Sequence, residues 1–110
     1  MGGGYNMTYD YEVFLIKAVN TVDEGGDTVQ TKTERSVLAD KLDYRSKEFY
    51  QAFTNGLKPS ITFAVNKYEY DNERMIKYDG SKYKIIDVYP VKAKDESEFE
   101  SLALLCEAVV

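Results

Sequence analysis

The sequence predicts a mainly β protein, a small antiparallel β-barrel with one short α-helix in the connection between two strands. Three observations carry this. β-branched and aromatic residues gather in runs of strand length, an Asp79-Gly80 pair separates two such runs, and only residues 46–56 combine helical spacing with both a start and a stop signal. A chain of 110 residues holds one domain, with residues 1–8 as a flexible tail and residues 9–110 as the barrel.

Residues 9–19 (YDYEVFLIKAV) read as the first strand. Val13, Phe14, Leu15 and Ile16 place apolar side chains on both of its faces, so it is expected to be covered on both sides. Asp23, Glu24, Gly25, Gly26 and Asp27 follow as a mobile loop, because adjacent glycines between acids favour a turn. Thr28 stands where a calcium-binding loop of the EF-hand type needs glycine, which argues against calcium. Residues 28–33 (TVQTKT) alternate as a strand, and 36–42 (SVLADKL) either continue it after a bend, the reading adopted here, or make a helical turn.

In residues 46–56, Phe49, Ala52 and Phe53 form a stripe at helical spacing. Ser46 suits the N-cap and Glu48 the first turn, where the helix dipole favours an acid. Gly56 suits the left-handed position after the helix, Leu57 can fold back onto the last turn, and Pro59 prevents continuation. Two turns are too short to be stable alone, so this helix must pack on the sheet or order on a partner.

Residues 60–70 (SITFAVNKYEY) read as a strand, with Ile61, Phe63 and Val65 on one face. A one-residue phase change at Tyr68 and Tyr70 predicts a bulge or corner. Residues 73–89 read as a hairpin, because Asp79-Gly80 tolerates the positive φ angles of a type I′ turn. Pro90 is expected to end or edge its second arm, since proline donates nothing to a ladder. Residues 92–98 (KAKDESE) are a solvated connection, and 99–109 form a last strand in which Leu102, Leu104 and Cys106 alternate.

Composition narrows the function classes. There is no histidine, which removes the commonest general base and metal ligand near neutral pH. Asp71, Glu73, Asp95, Glu96, Glu98 and Glu100 fall at polar loops and strand ends, where solvated charges are expected. The single cysteine, Cys106, lies in an apolar run and reads as a buried, inert thiol. No phosphate-binding glycine loop or paired-cysteine motif occurs, so neither enzyme activity nor a cofactor is expected. A net charge of −5 disfavours tight binding to nucleic acid or to an anionic membrane. Lys67, Lys77, Lys82 and Lys84 interleave with tyrosines, but acids alternate with them, and cross-strand pairing explains the pattern. The longest apolar runs are too short to span a bilayer, so an intracellular protein is expected.

The segments VLADKLDYRSKEFYQAFTNGLKPSITFAV, MIKYDGSKYKIIDVY and SLALLCEA, in that order and spacing, resemble the head–tail joining family, the head-closure (stopper or connector) proteins of long-tailed phages and prophages. The similarity runs from about Val13 to Glu107. It implies a structural protein of the virion, made in the host cytoplasm. Copies would join into a ring between the portal or its adaptor and the tail, closing or gating the DNA channel. Its partners would be those rings, tail components and passing DNA held without sequence-specific binding. By position, the channel and assembly segment would include Tyr44, Arg45, Lys47, Glu48, Tyr50, Gln51, Thr54 and Asn55. Here the chain departs from the family pattern, because a capped helix stands where relatives carry an open loop. A small barrel that binds a ligand or protein, with no virion role, is the alternative; an enclosed apolar cavity would favour it.

Overall fold

The computed structural model describes residues 9–42, 46–92 and 100–109. Among them the chain forms six strands and one helix: β1 (Tyr11–Val22), β2 (Thr28–Lys41), α1 (Lys47–Thr54), β3 (Pro59–Asn66), β4 (Met75–Tyr78), β5 (Ser81–Val91) and β6 (Ser101–Ala108). The strands close into an antiparallel barrel in the order β1-β2-β3-β6-β5-β4, as the sequence predicts.

Alternation sorts the side chains. Val13 and Leu15 of β1, Val37 and Ala39 of β2, Phe63 and Val65 of β3, Ile76 of β4, and Leu104 and Cys106 of β6 fill the interior. Phe63 is fully buried and meets the rings of Tyr78 and Tyr83 edge-on, at 5.3 and 6.2 Å between centroids. Outside the barrel wall a second, smaller cluster joins Ala64, Val91 and Ala103 to Leu42 and Tyr89. Both faces of β3 and β6 are therefore covered over much of their length. β1 is covered on both faces only over residues 13–16, where Ile16 is buried and the Lys77 ammonium lies 5.2 Å from the Phe14 ring centroid.

The β4–β5 turn has the expected form, with φ of 50° at Asp79 and 80° at Gly80. Thr28–Lys41 is one continuous strand, so the bend expected after Thr33 does not interrupt pairing. One other reading needs correction. β3 ends at Asn66, and Tyr68 and Tyr70 lie beyond it rather than on a shifted strand. The Asn66 carbonyl accepts from Glu69 N and its side chain from Tyr68 N, turning the chain away from the sheet. Pro90 does not end β5 but edges it, the other of the two expected outcomes, and pairs with Leu102 of β6. It is tolerated because β4 pairs only with residues 81–84, leaving that part of β5 without a strand on its other side among the described residues. Of the connection read at 92–98, only Lys92 lies among the described residues.

The barrel uses only part of its longest hairpin. β1 and β2 run in register through twelve pairs, from Tyr11↔Ala39 to Val22↔Thr28. β4 covers β1 only at Phe14, Leu15 and Ile16, and β3 covers β2 only at Asp40 and Lys41. The far part of the hairpin, residues 17–22 paired with 28–33, projects as a two-stranded arm and stretches the molecule to 60 × 31 × 24 Å. Its radius of gyration is 15.6 Å, against ~13 Å for a compact chain of about this length.

Phe63→Ala is expected to destabilise the protein by about 3–5 kcal/mol in denaturant titrations, because the cavity opens between packed rings. Val19→Ala, on the arm, is expected to change stability by less than about 0.5 kcal/mol.

Candidate assembly surface

Two features stand out from the barrel, the helix and the arm. Between them they carry every described residue that the sequence marks as a candidate for function.

The caps of α1 are those expected. Ser46 Oγ accepts from Phe49 N at 3.1 Å, and the same hydroxyl lies 2.9 Å from the Tyr89 hydroxyl on β5. At the other end, Gly56 has φ 85° and donates to Phe53 O, while Leu57 N reaches back to Ala52 O at 3.0 Å. The expected packing stripe is only partly used. Ala52 is buried and Phe49 half-buried, but Phe53 is 67% exposed and points away from the barrel. Ala52 is buried where the helix meets β3, and Phe53, one position on, faces solvent. Tyr50 is 55% exposed, its ring edge-on to Phe49 at 5.7 Å. Lys47, Gln51, Thr54 and Asn55 are exposed and Glu48 is half-buried, whereas Tyr44 and Arg45 lie outside the described residues. The helix thus offers an aromatic outer face while its hold on the barrel is small.

The arm ends in the turn formed by Asp23, Glu24, Gly25, Gly26 and Asp27, all exposed. The loop expected to be mobile has a defined form here. Asp23 Oδ1 accepts from Gly25 N and Asp27 N at 3.0 and 2.9 Å, and Gly26 takes φ 84°. Below the turn the arm is built of threonine and valine, with Val19, Val22 and Val29 all exposed.

Ion pairs clasp the root of the arm to the β3–β4 connection, and sequence reasoning missed this. Lys17 Nζ donates to Asp71 Oδ2 at 2.6 Å. Arg35 Nη2 donates to Glu73 Oε2 at 2.8 Å and also to the Glu69 carbonyl. Glu73 was expected in solvent, yet it is 3% exposed. Its other oxygen accepts from Asp71 N at 2.7 Å, and its backbone carbonyl accepts from the Tyr70 hydroxyl. The acid is buried because Arg35 and a backbone amide satisfy both oxygens, a pairing between residues 38 apart that local polarity does not reveal. Glu100 is exposed as expected, while Asp95, Glu96 and Glu98 lie outside the described residues.

Charge and burial set the chemistry. The Lys17 hydrogen bond, then its charge, holds Asp71 below the usual carboxylate range. Burial, then the Glu73 charge, pushes the Tyr70 phenol up. Burial pushes the Cys106 thiol up to about 12, so it is not a nucleophile near neutral pH. Among the described residues, no group of three or more Cys, Asp or Glu is placed to hold a metal ion, and no helix is long and apolar enough to cross a membrane. Of the lysines read against nucleic acid, Lys77 pairs with Glu34 at 3.0 Å and Lys67 lies over the Tyr68 ring. An open groove of about 380 Å³ follows the β2 edge where it parts from β3, lined by Tyr9, Ser36, Val37, Leu38, Asn66 and Glu69. No protein-family model matches the chain, and no curated protein matches it significantly.

Arg35→Ala leaves Glu73 buried beside an unfilled place and is expected to cost about 1–3 kcal/mol in chemical denaturation. With Glu73→Gln the two losses should be less than additive. For Asp71 the folded pKa lies below the unfolded one. Its contribution is therefore complete above the ordinary carboxylate range and lost as pH falls through the lowered value. Lys17→Met should flatten that acid limb slightly, as the pair is exposed. Thiol reagents should leave Cys106 unmodified until the barrel unfolds.

Proposed function

We propose that this chain is a phage or prophage head-completion protein. Copies form a ring between the portal or its adaptor and the tail, close or gate the DNA channel, and offer a docking surface to the tail. The observation that carries this reading is a packed small barrel whose distinctive parts, the arm and the helix, both stand outside its core with apolar side chains exposed. Such a molecule is suited to acting through surfaces and strand edges.

The charge fits as well. A chain with net charge −5 lines a passage for DNA without gripping it. The Asp43-to-Lys58 connection that contains α1 corresponds by position to the channel-facing segment of the family it resembles. Strong caps with one buried anchor, Ala52, make α1 a segment that can leave the barrel wall on assembly, since its packing is small while its ends are self-satisfied. The binding-module alternative needs an enclosed apolar cavity, but the barrel interior is taken up by Phe63, Leu15, Ile76 and Leu104.

Deleting residues 48–55 is expected to leave the barrel folded, by circular dichroism and thermal melting, while abolishing head completion. Global unfolding would instead make the helix part of the core. In a phage lacking this gene, electron microscopy should show heads that leak DNA and tails left unattached; normal virions would refute the assignment.

A further inference from the structure

The arm has two free edges, six residues long on β1 and twelve on β2. Beyond Ile16, residues 17–22 of β1 have no strand on their outer side among the described residues, and neither do residues 28–39 of β2. A lone two-stranded ribbon is marginal in water, and an unprotected edge is a template for another strand. The usual protections are sparse here. The outer arm contains no proline. Lys17, Glu34 and Arg35 are committed to Asp71, Lys77 and the Glu69–Glu73 pair within the chain. Lys32 is the one arm-shaft charge without an ion-pair partner among the described residues, and the tip carries Asp23, Glu24 and Asp27.

We propose that the arm is the element through which copies of this chain join, the free β1 edge of one arm pairing antiparallel with the free β2 edge of the next. This deepens the ring reading above and rests on it. Arms related by rotation about an axis along their length present β1, β2, β1, β2 in alternating directions, so each new contact is antiparallel. The contact is heterologous, and when the rotation closes no edge remains. Charge selects a second copy as the occupant. Strands in a closed ring tilt, which steps the register from one arm to the next. A step toward the tip moves Lys32 of one copy, level with Ala18 in its own arm, toward the tip carboxylates of its neighbour. The exposed Val19, Val22 and Val29 then gain cross-strand neighbours on a continuous sheet.

Paired single-cysteine variants test this. Gln30→Cys is mixed in turn with Ala18→Cys, Asn20→Cys and Val22→Cys, oxidised at increasing protein concentration, and read on non-reducing gels beside sedimentation velocity. Buried Cys106 stays silent. At least one mixture is expected to give a disulfide-linked pair, with Lys32→Glu weakening it and no single variant cross-linking alone. Three results would overturn the inference: no mixture cross-links, single variants cross-link as well as mixtures, or the protein stays monomeric at every concentration. If complementation still completes heads when cross-linking fails, the arm contact is wrong and the head-completion reading stands. If cross-linking succeeds and no virion requires the chain, the reverse holds.

Discussion

Closure of the barrel depends on a hairpin that is longer than the barrel needs. Twelve register pairs hold β1 to β2, yet three residues of β1 and two of β2 suffice to dock β4 and β3. Those two short seams are the weakest joints of the wall, and the surplus of the hairpin leaves the body as the arm. What keeps that surplus aimed is the clasp at its root, where Arg35 and Lys17 reach down to Glu73 and Asp71. Glu73 is the pivot, because a buried carboxylate must keep both oxygens satisfied. Its partners come from β2 and from the connection it lies in, so the arm and the β3–β4 connection are held as one body.

Much of the wall was legible because local chemistry and burial agree there. Asp79-Gly80 demands a tight hairpin wherever it falls between β-rich runs. Ser46, Gly56 and Pro59 bracket a helix through backbone rules that need no tertiary context. Leu102, Leu104 and Cys106 announce a strand by alternation, and all three face the interior side of β6. The illegible parts are those where a distant residue decides. Tyr68 and Tyr70 resemble strand residues, but Asn66 captures the backbone and ends β3. Glu73 looks solvated until Arg35 arrives from β2. Phe53 fits a helical stripe, and only the small footprint of Ala52 on the barrel shows that it faces water. Pattern also cannot say which strand borders which, so a threonine- and valine-rich run predicts β2 without predicting that most of its outer edge is bare.

Function follows from the same division between a filled interior and an unfilled exterior. The packed barrel core, capped on one flank by the cluster around Ala64 and Ala103, serves as a mount. From it the arm and helix extend in a chain whose remaining charge is mostly negative, a combination suited to gathering copies around a passage that DNA must traverse freely. The proposed head-completion role would use these parts together: edges for neighbours, an aromatic helix face for an adjoining ring, and a net negative charge beside the DNA.

Hydrogen exchange of the arm amides, compared between the isolated protein and completed particles, tests the central claim most directly. Outer-edge amides among residues 17–22 and 28–39 should exchange rapidly in the free chain and become strongly protected in the particle, while core amides of β3 and β6 stay unchanged. Equal exchange at those edges in both states would contradict the account.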